Sequence, residues 1–243
     1  MNLVIDVGNT LVKLAVFKND VLISKYSVKV SYLLKELILL REKYPAIEQS
    51  ILSSVGCISA QDLVYLKNEF NLVQLNINSI LPLVNKYKTP KTLGVDRLAL
   101  ACAAIKHCPG KNTLIIDAGT CITYDFVNAS NEYLGGAISP GLATRYKSLN
   151  NLTANLPLLS VEYPKNITGA STNQAIHSGV VYGVLNEIDG VIATYRSNYS
   201  DLTVILTGGD SNFLSKQLKS TIFANSNFLL EGLNYILQFN KNQ

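Results

Sequence analysis

The sequence predicts an α/β fold of two related halves facing one another across a cleft, and three observations predict it. The first is a repeat. Leu3-Val4-Ile5-Asp6-Val7-Gly8-Asn9-Thr10 near the start and Leu114-Ile115-Ile116-Asp117-Ala118-Gly119-Thr120-Cys121 near the middle are both apolar strands that end in Asp-x-Gly and run straight into a second strand. The second is order: after each copy, alternating strand patterns give way to segments of helical spacing, as in α/β chains. The third is size. A chain of 243 residues at 48% hydrophobic exceeds the usual domain of ~100–150 residues and can bury a large core.

From the N-terminus, Asn2–Val7, 11–17 and Val21–Val28 read as an antiparallel meander, with Gly8-Asn9 and Asn19-Asp20 as turns. From 31 to 44 the positions Leu34, Leu37, Ile38 and Arg41 step at helical spacing, and Pro45 stops the helix. Short strands at Gln49–Ser54 and 72–77 flank a second helix beginning near Ser59, and 81–94, rich in Lys, Pro, Asn and Thr, reads as a loop. An Ala-rich helix, Val95–His107, precedes Pro109-Gly110, the best domain boundary, so the expected halves are 1–110 and 111–243, with the last helix free to pack back on the first. The plan then restarts with strands at 113–117, Cys121–Val127 and 133–138, and Pro140-Gly141 opens a helix. A long helix over 171–196 carries Gly179, Gly183 and Gly190 on nearly one face, which implies close approach of another backbone, from its own sheet or from a second subunit. A strand over Thr203–Thr207 ends in Gly208-Gly209-Asp210, and an amphipathic helix, a short strand and a last helix over 227–239 follow.

Composition excludes several classes. The net charge of +4 comes from scattered lysines, without a basic run or aromatic and arginine interleaving, so no nucleic-acid partner is expected. No apolar stretch reaches the ~20 residues that span a bilayer and no basic leader precedes the first strand, so no membrane partner is expected and the chain reads as soluble and cytoplasmic. Cys57, Cys102, Cys108 and Cys121 form no CxxC pair and only His107 and His177 could join them, which suits reduced thiols better than a zinc site.

The residues that could carry chemistry sit in the repeat and between its copies. Asp6 at a strand end, Gly8, Asn9 and Thr10 in the turn, and Lys13 beyond it offer a carboxylate, backbone N–H groups, a hydroxyl and a cation to a polyphosphate with hydrated Mg²⁺; a plain hairpin would use the same turn residues. Asp117, Gly119, Thr120 and Thr123 repeat the set, but Tyr124 stands where Lys13 does, so the second copy has a different duty. Gly208-Gly209 after a strand would let a nucleotide lie against backbone or simply make a turn. In Gly94-Val95-Asp96-Arg97, Asp96 suits a helix N-cap. Arg97 beside it opposes the macrodipole, which weakens that reading and leaves a second one open, a carboxylate that accepts a hydroxyl proton next to a cation that grips an acid.

These pieces, in this order and spacing, resemble type III pantothenate kinase, a family of the acetate kinase, sugar kinase, Hsp70 and actin superfamily. The similarity covers nearly the whole chain, and Gly135-Gly136-Ala137-Ile138-Ser139-Pro140-Gly141 and Thr172 extend it. The resemblance implies two actin-like (ribonuclease H-like) half-domains, each a mixed five-stranded sheet with flanking helices, around a central cleft. It implies ATP-dependent phosphorylation of pantothenate to 4'-phosphopantothenate, the first step of coenzyme A synthesis. Asp96 would be the general base. Asp6, Val7, Gly8, Asn9, Thr10, Leu11, Val12, Lys13 and Thr120 would bind ATP, with Asp6 meeting Mg²⁺ directly or through water. Tyr87, Gly94, Val95, Asp96, Arg97 and Thr172 would bind pantothenate, and Asp117 would hold the monovalent cation, K⁺ or NH₄⁺. The family is homodimeric. The Leu- and Asn-rich stretch 148–164 has no clear counterpart in it. The rival readings are another small-molecule kinase of the superfamily and a non-catalytic ATP-binding regulatory protein; Asp6, Asp96 and Asp117, all present, speak against the second.

Overall fold

The structure is a computed structural model that describes residues 1–8, 11–54 and 56–241. The chain divides into two units, the first made of Met1–Pro109, Asn131–Tyr133 and the C-terminal segment from Phe228, the second of Gly110–Ser130 and Leu134–Asn227. The half expected at 111–243 therefore lacks its last helix, which belongs with the first unit.

The first unit is built on a sheet of order β3-β2-β1-β4-β5, with β1 Asn2–Val7, β2 Val12–Lys18, β3 Val21–Val28, β4 Gln49–Ser54 and β5 Leu72–Gln74. β1 runs antiparallel to β2 and parallel to β4 and is buried throughout, as its apolar run demands. Strand alternation sends Leu3, Ile5 and Val7 into a core with Leu33, Leu37 and Leu40 of α1 (Leu33–Lys43) and Leu66 and Phe70 of α2 (Ala60–Phe70). Ser59 caps α2 by accepting from the Asp62 N–H, and Asn71 in the left-handed region ends it. Asn2, Val4 and Asp6 alternate onto the other face. There α7 (Phe228–Lys241) joins the sheet: Asn2 donates to Asn234 (2.8 Å), and Asn234 and Gln238 both donate to the Asn19 carbonyl. α7 also packs on α3 (Val95–His107), where Gly232 lies against the Ala99 carbonyl. Within the expected loop 81–94 lie β6 (Val84–Asn85) and a 3₁₀ turn, Pro90–Thr92.

The second sheet repeats the plan in the order β11-β10-β7-β8-β9, with β7 Thr113–Ala118, β8 Cys121–Val127, β9 Glu132–Pro140, β10 Thr203–Thr207 and β11 Phe223–Ala224. It differs from five strands by one: Glu132 and Tyr133, the start of β9 that belongs with the first unit, pair in parallel with β6. Leu114, Ile116 and Ala118 face a core closed by α4 (Leu142–Leu152) and α5 (Thr172–Asn198). Ser171 accepts from the Gln174 N–H while the Gln174 side chain accepts from Ala170 N–H, a reciprocal cap that starts α5. After Gly209 the expected amphipathic helix is a single turn, α6 (Ser211–Leu214), whose Leu214 enters the core while Leu218 packs against it from the turns that follow.

Candidate active site

In the first unit, Asp6 is the fifth of the six residues of β1 and lies in register with Lys13 of β2 and Ser53 of β4. Its carboxylate is 8% exposed and stands 3.6 Å from the Lys13 Nζ. Burial pushes the Asp6 carboxyl above its ordinary value, Lys13 pulls it back, the Asp96 charge pushes it up again, and the net direction is up. Ser53 is fully buried, and its hydroxyl has no hydrogen-bond partner among the described residues. A buried carboxylate and an orphaned hydroxyl side by side fit a site completed by water or ligand. Gly8 N–H closes the turn on the Leu11 carbonyl (3.1 Å); Asn9 and Thr10 lie outside the described residues.

Asp96 is not the N-cap. Gly94 holds that position, α3 starts at Val95, and the Asp96 Oδ1 turns back to accept from the Arg97 N–H (2.8 Å). The reason is local: a carboxylate in the first turn can meet the unbonded N–H groups there. A Cβ at Gly94 would meet Asp96 Oδ1, so a side chain there would have to displace the carboxylate. Arg97, 6% exposed, sends its guanidinium 5.7 Å over the Tyr87 ring, and Tyr87 in turn packs 6.2 Å from Tyr133. Asp6, Lys13 and Asp96 are thus electrostatic neighbours at one end of the sheet, with Arg97 and Tyr87 paired alongside Asp96 in sequence. Among the described residues no three His, Cys, Asp or Glu side chains gather as a metal cage. A divalent ion here would take most of its ligands from phosphates and water, as Mg²⁺ does.

In the second unit, Asp117 is the fifth of the six residues of β7, the place Asp6 has in β1. Its partners in register are Thr123 and Thr207. This corrects the expectation for Tyr124. Three residues, 119–121, separate the paired Ala118 and Ile122, against four between Val7 and Val12, and a shift of one residue turns every following side chain to the other face. Thr123 therefore stands where Lys13 does, and Tyr124 is buried in the core with its hydroxyl donating to Glu187 (2.7 Å). Gly208, at φ 94°, sits against Asp117 Oδ1 and the Ala118 carbonyl, so a side chain is excluded by space and by backbone conformation. Asp210 N–H donates to that carbonyl (3.0 Å), and burial pushes the Asp210 carboxyl up. A carboxylate cradled by a glycine among backbone oxygens fits a cation. Thr120 is exposed, and its carbonyl accepts from Gly141 N–H (3.0 Å) and Thr144 Oγ1 (2.6 Å). Thr172, the first residue of α5, lies on an open recess of about 600 Å³ with Arg145, Leu149, Leu156, Ile176 and Val180.

The glycine stripe of α5 does not pack on its own sheet. A Cβ on Gly179 or Gly190 would meet nothing within 4 Å, and one on Gly183 only the Arg145 Nη1 at 3.9 Å. The buried face of the helix is instead Ile176, Val180, Val181, Val184, Ile188 and Ile192.

The sequence profile of type III pantothenate kinase matches residues 2–194. The chain belongs to the type III pantothenate kinase family. It is 52% identical over 243 residues to the type III pantothenate kinase of Christiangramia forsetii, covering all of both chains. It is 49% identical over 239 residues to that of Flavobacterium johnsoniae, covering 98% of each. Among solved structures, a conserved putative Baf family transcriptional activator from Campylobacter jejuni superposes with a TM-score of 0.62 at 21% identity, over 99% of this chain and 100% of that one. A ROK family glucokinase from Streptomyces griseus, in complex with glucose and AMPPNP, gives 0.56 at 11%, over 100% and 99%. These two likenesses carry the fold, which is that of the actin-like sugar kinases.

Three features of this family member were not found from its sequence: Ser53 beside Asp6, Gly208 around Asp117, and the group of Tyr124, Ser139 and Arg145 on Glu187. The last had one weak signal available, an acid, Glu187, between the buried Leu185 and Ile188 of a long helix.

Proposed function

We infer that the chain does what its family's name states: it is an enzyme that phosphorylates pantothenate with ATP, in coenzyme A biosynthesis. One observation carries the reading at the level of chemistry. Asp96, in the first turn of α3, interacts electrostatically with Asp6, itself paired with Lys13, so a proton acceptor and a phosphate-facing pair share one end of the sheet.

In this proposal Asp96 takes the proton of the pantothenate hydroxyl as that oxygen attacks the γ-phosphorus. Lys13 and the 6–13 segment would bind the phosphates of ATP, and Asp6 would meet Mg²⁺ directly or through water. The Mg²⁺ bound with ATP supplies charge neutralisation at the transferring phosphoryl group. Phosphoryl transfer asks chiefly for positioning and electrostatics, with a base adding ~10²–10⁴ in rate. Arg97, over the Tyr87 ring, grips the pantothenate carboxylate, and Gly94 and Val95 line that site. Thr172 binds the same substrate, and the apolar wall beside it suits the gem-dimethyl group. Thr120 completes ATP binding, while Asp117 holds K⁺ or NH₄⁺.

The enzyme is proposed to act in the cytoplasm, where ATP is made, and as a homodimer. A second copy would cover the open glycine face of α5, where Gly179 lies on the 600 Å³ recess, along with the exposed Leu152 and Ile138. No helix among the described residues is long and apolar enough to cross a membrane.

A coupled assay with ATP and pantothenate, with K⁺ or NH₄⁺ present and then absent, tests the reading. ADP release that needs both pantothenate and the cation is expected. Release that is independent of pantothenate, or that sugars or acetate support instead, would overturn it.

A further inference from the structure

Glu187 lies midway along α5 and gathers three donors from three other elements. Its Oε1 accepts from Tyr124 Oη of β8 (2.7 Å) and from Ser139 Oγ of β9 (2.5 Å), and its Oε2 pairs with Arg145 Nη2 of α4. Arg145 is fixed from its other side too, since its Nε donates to the Pro140 carbonyl (2.8 Å) and its backbone N–H to the Gly141 carbonyl (3.0 Å). The turn of α4 locked in this way is the one that holds the second phosphate loop. Gly141 N–H and Thr144 Oγ1 both donate to the Thr120 carbonyl, so the start of α4 is tied to that loop by two hydrogen bonds.

An ordinary core contact would not use a carboxylate here, because half-burying it opposes its charge. Ser139, Arg145 and Tyr124 nevertheless hold the Glu187 carboxyl below its ordinary value against that burial, so the anion persists at neutral pH.

We propose that Glu187 is a positioning residue of the nucleotide site: by fixing Arg145 and Ser139 it holds the first turn of α4, and through Gly141 and Thr144 the Thr120 loop, in the geometry that binds ATP. The proposal rests on the assignment of Thr120 to ATP made above. Glu187 touches no reacting atom; it acts through Arg145 and α4.

The test compares Glu187→Gln, Thr144→Val and the double variant in calorimetric titration with a non-hydrolysable ATP analogue and Mg²⁺, alongside the KM for each substrate and the melting temperature. Glu187→Gln should weaken analogue binding by about tenfold, as losing a partner that orients a binding group commonly does, with the pantothenate KM unchanged within about twofold. Thr144→Val should reproduce that split, and the double variant should be no worse than the worse single one, because both act on one contact. Glu187→Asp, which keeps the charge, should recover part of the loss.

Unchanged analogue affinity in folded Glu187→Gln, equal changes in both KM values, or additive single effects would overturn the proposal. Should Glu187→Gln fail to fold, Tyr124→Phe, which keeps the ring in the core and removes one donor, must show a smaller shift in the same direction or the proposal fails. A wild-type chain that binds the analogue but turns over no pantothenate would overturn the substrate reading and leave this one to be decided by the titrations.

Discussion

Asp6→Asn should make the protein more stable and far less active, and the structure sets the sign. The Asp6 carboxylate is 8% exposed, and the cation facing it, Lys13 at 3.6 Å, is 39% exposed. At an effective dielectric of ~20 such a pair would attract by about 4–5 kcal/mol, but with one partner open to solvent the working value falls to ~1 kcal/mol or less. Burial and the nearby Asp96 charge outweigh it, and the Asp6 carboxyl is raised from 3.8. A raised folded-state value means that the protonated form favours folding below pH 3.8 and that this contribution disappears as pH climbs through the folded value. At pH 7 ionised Asp6 therefore works against the fold. Asparagine keeps the shape without the charge, so Asp6→Asn should add about 1 kcal/mol at pH 7 and raise the melting temperature by ~2–4 °C. That gain should shrink toward zero in acid. Calorimetric melts of both proteins from pH 4 to 8, beside the coupled assay, read stability and turnover together. A variant that melts below the wild type at pH 7, or a gap that does not narrow in acid, would refute the reasoning.

Other substitutions separate the proposed roles. Asp96→Asn should lower kcat by ~10²–10⁴ while ATP affinity in a binding titration stays near wild type. Arg97→Lys keeps the charge but loses the planar grip, so it should chiefly raise the pantothenate KM, by about tenfold; steady-state kinetics in each substrate decide this. Gly208→Ala forces a side chain onto Asp117 at φ 94° and should abolish stimulation by K⁺ or NH₄⁺ before it abolishes ATP binding. Gly190→Arg adds bulk where a Cβ would meet nothing of the chain within 4 Å, so the subunit should still fold, and if the proposed dimer forms through this face of α5, light scattering should report a dimer for the wild type and a monomer for the variant.

The sequence made the two sheets legible because their signals are local. β1 and β7 are apolar runs closed by Asp-x-Gly, α3 and α5 are long periodic stretches with clear stops, and each needs only its own neighbourhood to be recognised. The positions of Asp6, Lys13 and Asp117 on their strands and of Asp96 and Arg97 at the start of α3 were legible for the same reason. What stayed hidden depends on register or on distance along the chain. Arg145 and Glu187 are separated by 42 residues, and no periodicity announces their pairing. That the last helix could pack back on the first half was legible, but the contacts that hold it there, Asn234 and Gln238 donating to the Asn19 carbonyl across more than 200 residues, were not.

Tyr124 shows how a single residue decides such a case. Counted along the chain, it falls seven places after Asp117 as Lys13 falls seven after Asp6, and the comparison implies a lysine exchanged for a tyrosine at one site. The second hairpin is one residue shorter, so the true counterpart is Thr123, and Tyr124 points into the opposite face, toward Glu187. The second copy thus did two things at once. It has a small hydroxyl, Thr123, where the first copy has the Lys13 ammonium, which would leave room for the cation proposed at Asp117, and it turns a phenol inward to Glu187, the carboxylate proposed to position α4. The roles proposed for Asp117 and Thr120 then depend on one feature, the length of the loop between Ala118 and Ile122.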